Sequence, residues 1–155
     1  MALPSTSERV PAHTKQEINR KIKEKIEKDI VFYTSCGSAG IERRLKELER
    51  EWDTERFLET GASSLTVLGS FLGATVSRKW FILPAVVGGF LLQHAIQGWC
   101  PPLAVLRRFG VRTMREIDQE RYALKAARGD FDAVSKNVKE GAVQADHLLQ
   151  AAAST

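Results

Sequence analysis

The amino-acid sequence predicts an all-α protein organised around two apolar segments, and three observations support this. Two long runs, 60–77 and 80–106, contain no Asp, Glu, Lys or Arg, and only Arg78 and Lys79 separate them. The segments on either side repeat apolar residues three and four positions apart, which is the spacing of amphipathic helices. No segment shows the apolar/polar alternation of a strand. The predicted fold is a two-helix transmembrane hairpin flanked by amphipathic cytoplasmic helices.

The N-terminal region is predicted to contain a tail and two charged helices. Residues 1–14 include two prolines and several small polar residues, which predicts a disordered tail. Residues 15–56 are expected to form charged cytoplasmic helices, and their basic faces fit either solvent or anionic lipid. The apolar stripe of the first helix consists of Ile18, Ile22, Ile26 and Ile30, and that of the second of Ile41, Leu45, Leu48 and Trp52.

The central region, 57–106, is predicted to be the transmembrane hairpin, with helices at about 57–77 and 80–99. A helix needs about 20 apolar residues to cross a bilayer. Trp80 and Trp99 lie 19 positions apart, which is about 28 Å along a helix and matches the two aromatic belts of a membrane. The Ser and Thr residues of the first run leave an alternative open, a soluble bundle with two buried central helices. The predicted interface anchors are Trp52, Trp80, Trp99, Arg107 and Arg108.

The orientation of the hairpin follows from its flanking charges. Lys and Arg crowd the outer ends of the two runs, whereas the connector has only Arg78 and Lys79. This bias predicts that both termini lie in the cytoplasm. Residues 107–155 are then cytoplasmic C-terminal helices. The expected partners are the lipid bilayer, a second copy of the chain and a cytoplasmic protein; nucleic acid is not expected, because acidic residues interleave with the basic ones.

Small residues recur along both apolar runs at the spacing of one helix face. Close approach of helix backbones at small residues drives association in lipid, where apolar side chains gain nothing by leaving the solvent. The stripe therefore predicts packing within the hairpin or between copies in a homo-oligomer. Its members are Ala62, Thr66, Gly69, Gly73 and Ser77 in the first run and Ala85, Gly88 and Gly89 in the second.

Polar residues near the end of the second run are the candidates for chemistry. Gln93, His94 and Gln97 are intramembrane polar residues, which either serve a function or form hydrogen bonds between helices. Cys100 follows them and is either a small residue at a helix end or a reactive thiol. Cys36 and Cys100 have no metal-ligand spacing, and the N-terminus has no apolar signal-peptide core. No metal, cofactor or cleaved secretory signal is therefore predicted.

The segment Gly98-Trp99-Cys100-Pro101 resembles the Gly-x-Cys-Pro signature of the YgaP-like inner-membrane domain, a bacterial family of two transmembrane helices. The resemblance covers residues 55–110. It implies a self-associating inner-membrane hairpin in a family without an established general activity. The rhodanese domain that accompanies this hairpin in the family's namesake is not expected in this chain, because no strand pattern surrounds either cysteine.

Two hypotheses about function result. The first is a non-enzymatic, self-associating hairpin of the bacterial inner membrane that presents cytoplasmic helices to protein or lipid partners. The second is a thiol-dependent sulfur or redox accessory protein that uses Cys100. A buried, inert thiol favours the first hypothesis, and a thiol that reacts readily at neutral pH favours the second.

Overall fold

A computed structural model of the chain describes Ser5, residues 8–132 and Ala152. The regular structure in these residues is helical, which confirms the predicted all-α class. The elements are α1 (Arg9–Ala12), α2 (Gln16–Ser35), α3 (Gly37–Arg50), α4 (Thr54–Thr75), a 3-10 helix (Arg78–Phe81), α5 (Ile82–Gln97), α6 (Pro101–Arg108) and α7 (Met114–Arg128). Most of the C-terminal helix expected beyond Gly129 lies outside the described residues.

The chain forms two compact units, each with its own apolar core. The hairpin unit consists of Met1–Ile22 and Trp52–Arg115, and the charged-helix unit of Lys23–Glu51 and Glu116–Thr155. The core of the hairpin unit contains Val10, Leu58, Cys100 and Leu103. The core of the charged-helix unit contains Ile41, Leu45, Leu48, Ile117 and Leu124.

The charged-helix unit combines this apolar core with a buried ion pair. Nε of Arg44 lies 2.7 Å from Oε1 of Glu120, whose side chain is fully buried, and Nη2 of Arg44 lies 3.3 Å from Asp29. Burial of the guanidinium opposes ionisation, but the hydrogen bond and charge of Glu120 outweigh it and raise the pKa of Arg44. Arg44 thus remains a cation inside the unit.

The hairpin unit is organised by the pair α4 and α5. Helix α4 begins at Asp53, whose carboxylate accepts a hydrogen bond from the backbone N–H of Arg56 at 2.7 Å, as an N-cap does. The helices then pack through small residues. A Cβ on Gly69 would lie 2.7 Å from Cδ of Pro84, and a Cβ on Gly73 would lie 2.9 Å from the ring of Phe81. The two glycines therefore allow α4 to approach the beginning of α5 closely.

One helical span among the described residues, Arg78–Gln97, is long and apolar enough to cross a membrane. Only 6% of its most apolar window is buried within the chain, unlike the central helix of a soluble bundle. Helix α4 is less hydrophobic because Ser, Thr and Gly residues interrupt its apolar side chains. The structure thus supports one membrane-spanning helix by composition, and a span through α4 remains a proposal.

The N-terminal segment differs from the sequence prediction. Residues 1–14 were expected to be a disordered tail, but Arg9–Ala12 form the short helix α1. Val10 is only 3% exposed and belongs to the same apolar cluster as Leu58 and Leu103. Burial of this one apolar side chain helps to hold the segment against the hairpin unit.

Candidate functional site

The connection between α5 and α6 brings Cys100 back towards the end of α5. Gly98 adopts the left-handed conformation with φ +74°, and its N–H donates to the carbonyl of His94 at 2.7 Å. Cys100 is extended and precedes α6 as its N-cap. Pro101 and Pro102 occupy the first positions of α6, where the missing N–H groups need no helical partner. Gly98 therefore ends α5, and the prolines start α6.

His94 lies at the centre of a buried polar group beside this turn. Its side chain is 4% exposed, and Nε2 lies 2.9 Å from Oε2 of Glu55, in the first turn of α4. An ionised carboxylate can only accept, so Nε2 is the protonated nitrogen. Nδ1 makes no hydrogen bond of standard geometry in the described part of the chain. Cys100 is buried and interacts with the same imidazole. Because Glu55 occupies Nε2, Nδ1 is the ring nitrogen without a hydrogen bond in residues 8–132.

Arg9 completes the polar group from the N-terminal side. Its Nη1 donates to the carbonyl of Ala95 at 3.0 Å, and its Nη2 lies 3.4 Å from Oε1 of Glu55. Glu55 precedes the predicted transmembrane hairpin, which begins at residue 57. The hydrogen bond from His94 lowers the pKa of the Glu55 carboxyl, burial opposes this change, and the charge of Arg9 reinforces it. Glu55 is therefore an anion held between a histidine and an arginine.

Gly98 is required where the backbone of α1 approaches the end of α5. A Cβ at this position would lie 2.6 Å from Cβ of Arg9 and 2.7 Å from its carbonyl carbon. These are closer than van der Waals contact, and the positive φ adds strain for any other residue. Glycine thus allows the N-terminal segment to reach Glu55.

Cys100 also lines an apolar cavity of about 590 Å³ between α4, α5 and α6. The cavity is half enclosed. Apart from Cys100, its lining residues carry hydrocarbon side chains or are glycine or proline; they are Phe57, Leu58, Gly61, Ala62, Leu65, Val86, Val87, Phe90, Leu91, Pro101, Pro102, Val105 and Leu106. Cys100 therefore stands between a polar group on one side and a hydrocarbon surface on the other.

Arg107 does not occupy the position expected of a membrane-interface anchor. It is 1% exposed, and its guanidinium donates to Asn19 Oδ1 at 2.9 Å, to Thr14 Oγ1 at 3.3 Å and to the carbonyl of Val111 at 3.1 Å. Its guanidinium thus lies between Val111, which follows α6, and the N-terminal segment. Arg108, the next residue, is exposed.

The aromatic anchors lie on the surface of the hairpin unit. Trp52, Trp80 and Trp99 are all partly exposed. Trp52 packs against Phe57 with ring centroids 5.1 Å apart, and the guanidinium of Arg56 lies 4.6 Å from the Trp52 ring centroid. Their exposure is consistent with a role at a membrane interface, and that role stays a prediction.

Some of the predicted small and polar residues are enclosed by neighbouring helices, and others are exposed at the surface. Gly69 and Gly73 are buried between helices, and Ala62 and Thr66 are half-buried. Gly88 and Gly89 face open space, and Ser77 and Ala85 are exposed. Gln93 is half-buried and Gln97 exposed, so His94 alone of the predicted polar trio is enclosed.

Two members of the polar group, Glu55 and Arg9, were not among the residues that the sequence singled out. Glu55 precedes His94 by 39 positions, and Arg9 precedes Ala95 by 86. Nothing local in the sequence distinguishes Glu55 from the neighbouring acids Asp53 and Glu59. No group of three or more His, Cys, Asp or Glu side chains in residues 8–132 is arranged to hold a metal ion.

No protein-family model, curated protein or solved structure matches the chain. The resemblance to the YgaP-like domain thus rests on the Gly98–Pro101 signature and remains an expectation.

Proposed function

We propose that the chain is a bacterial inner-membrane protein anchored by α4 and α5, with a hairpin of the YgaP-like kind. The observation that carries this proposal is the apolar surface that the two helices leave uncovered. Large contiguous apolar surfaces of this kind mark contact with a membrane or a partner. Its large exposed side chains include Val67, Leu68, Phe71, Val76, Phe81, Ile82, Leu92 and Ile96.

Both ends of the hairpin are proposed to face the cytoplasm. The connector exposes only Arg78 and Lys79, whereas the segments beyond the two helices are rich in Lys and Arg. The charged helices α2, α3 and α7 are then available to cytoplasmic protein or lipid partners. In this proposal the protein has no catalytic activity.

Self-association is proposed to occur through α5. Gly69 and Gly73 are already used within the chain, whereas a side chain on Gly88 or Gly89 would meet no atom within 4 Å. Backbone exposed at adjacent glycines allows close approach of a second helix in lipid. The proposed interface between copies is therefore the Gly88–Gly89 face.

Membrane insertion and orientation can be tested with one set of fusions. A reporter active only outside the cytoplasm should be silent after Thr155 and active when inserted between Arg78 and Lys79. Activity after Thr155 would show that the orientation is wrong. Release of the intact chain from membranes by alkaline carbonate would show that it does not span the bilayer.

A second function, in which Cys100 acts as a thiol, is favoured by one specific observation. Cys100 interacts with the imidazole of His94, whose Nε2 lies 2.9 Å from the carboxylate of Glu55, and an imidazole held in this way can activate a nucleophilic cysteine. Cys36, the other cysteine, is exposed and provides an internal comparison.

Alkylation rates test the thiol directly. In a Cys36→Ser background, Cys100 of the folded chain should react with iodoacetamide at neutral pH, and His94→Gln should slow the reaction by about 100-fold. The same reaction after denaturation should be insensitive to His94→Gln. Equal rates for the two folded variants would refute activation by His94.

A further inference from the structure

We propose that Cys100 is an S-acylation site and that the cavity between α4, α5 and α6 holds the long-chain acyl group. This inference rests on the second proposed function, a reactive Cys100, and specifies its substrate as a long-chain acyl thioester. Two independent features point to it: the arrangement of Cys100, His94 and Glu55, and the chemistry of the cavity that Cys100 lines.

The lining of the cavity selects a hydrocarbon. None of its lining residues carries a charge, hydroxyl or amide side chain. A peptide or nucleotide placed there would lose hydration at its polar groups without gaining hydrogen bonds, which costs several kcal/mol in total. An acyl chain has no such groups beyond its carbonyl. The cavity volume of about 590 Å³ lies within the range of about 300–1,000 Å³ usual for small-molecule sites.

The shape of the cavity is compatible with a chain that starts at Cys100. Its walls include Phe57 and Leu65 on α4, which are separated by about 12 Å at the helical rise of 1.5 Å per residue. Pro101 and Pro102 line it next to Cys100. A chain attached at the sulfur can therefore extend along α4 and α5 from the α5–α6 turn.

The polar group on the other side of Cys100 supplies the proton transfers. Sγ attacks the carbonyl carbon of the acyl thioester as the thiolate, with its proton held on Nδ1 of His94. The new Sγ–C bond forms, the bond from that carbon to the donor sulfur breaks, and the donor thiolate takes the proton from His94. The products are S-acyl Cys100 and the free donor thiol, without any change in oxidation state. Glu55 is a positioning residue, because it holds the imidazole with Nδ1 directed away from itself.

The first experiment asks whether Cys100 takes an acyl group and whether Cys36 does. The full chain in lipid nanodiscs is incubated with palmitoyl-CoA and analysed by intact mass spectrometry. We expect one palmitoyl group that neutral hydroxylamine removes, present in Cys36→Ser and lost in Cys100→Ser. His94→Gln should slow acylation by about 100-fold. Equal labelling of the two cysteines, or no labelling of the wild type, would refute the inference.

The second experiment tests the cavity through the length of the acyl chain. Gly61 lines the cavity, and a side chain at this position meets no atom within 4 Å. Gly61→Leu should lower the rate with palmitoyl-CoA by about tenfold and leave the rate with acetyl-CoA unchanged. Ala74→Leu is the matched control, because Ala74 is exposed on the same helix but lies outside the cavity. It should change neither rate.

The outcomes distinguish failure of this inference from failure of the proposed thiol function. If His94-dependent alkylation of Cys100 is observed but palmitoyl-CoA and acetyl-CoA react equally well, the thiol is reactive and the cavity is not its acyl site. If Cys100 resists both iodoacetamide and the acyl donors, both proposals are wrong. A wild type that prefers palmitoyl-CoA, together with loss of that preference in Gly61→Leu, supports the inference.

Discussion

Gly98→Ala is expected to destabilise the hairpin unit for two separable reasons. Gly98 has a φ of +74°, and an L-residue in this left-handed conformation costs about 1–2 kcal/mol. The added methyl group would also lie 2.6 Å from Cβ and 2.7 Å from the carbonyl carbon of Arg9. Since a backbone atom cannot yield as a side-chain end can, overpacking adds about 1–3 kcal/mol. The expected loss in the free energy of unfolding is therefore about 2–5 kcal/mol.

Two further glycines separate strain from steric overlap. Gly110 has a φ of +79° and nothing within 4 Å of an added Cβ, so Gly110→Ala should cost the strain alone, about 1–2 kcal/mol. Gly61 is helical and equally open, so Gly61→Ala should cost nothing and should gain up to about 1 kcal/mol from helix propensity. The measurement is equilibrium unfolding by SDS in mixed micelles, followed by far-UV circular dichroism. Equal losses for Gly98→Ala and Gly110→Ala would refute the close approach of Arg9 to Gly98.

Three other predictions concern helix packing, the buried ion pair and pH. Gly73→Ile forces its side chain into the ring of Phe81 and should lower the melting temperature. Gly89→Ile should leave the melting temperature unchanged and reduce cross-linking between copies. The opposite pattern would show that Gly73 lies between copies and Gly89 within the chain. Arg44→Met removes the 2.7 Å ion pair to the buried Glu120 and should lower the free energy of unfolding by about 3 kcal/mol. Lys46→Met removes an exposed pair with Glu42 and should lower it by less than about 0.5 kcal/mol. Urea unfolding measures both. The folded state lowers the pKa of Glu55 below its usual 4.5. The stabilising contribution of Glu55 is therefore complete above that value and is lost as the pH falls through the folded pKa. The melting-temperature difference between wild type and Glu55→Gln should shrink on acidification, and a constant difference would contradict this.

The elements of the fold could be predicted where the signal is local. The a/d-like positions Ile41, Leu45 and Leu48 form the buried face of α3, and Ile22 and Ile26 are the buried members of the α2 stripe. Helical periodicity identifies such faces because residues three and four positions apart lie on the same side of a helix and are buried together. A glycine with positive φ follows each of α5 and α6, Gly98 and Gly110 respectively.

The candidate site could be predicted only in part. His94 and Cys100 were singled out because a polar residue and a thiol stand out in an apolar run. Glu55 was hidden among many charged residues, and nothing local distinguishes the acid that meets a histidine 39 positions away. Arg107 was assigned to lipid because Lys and Arg at the end of an apolar run usually reach the headgroups. Two of its partners, Thr14 and Asn19, lie in the predicted disordered tail and in the first predicted amphipathic helix.

The N-terminal segment connects these differences, because it contacts the base of the hairpin at two places. Arg9 reaches Glu55 and the end of α5, and Asn19 binds the guanidinium of Arg107 in α6. The first contact reinforces the charge of the carboxylate that orients His94, and the second holds α6, which begins directly after Cys100. The backbone of Arg9 explains why position 98 is a glycine. Asn19 explains why Arg107 is buried although its charge was expected to face lipid. The position of the thiol relative to the imidazole is thus set by a segment distant in sequence as well as by the hairpin itself.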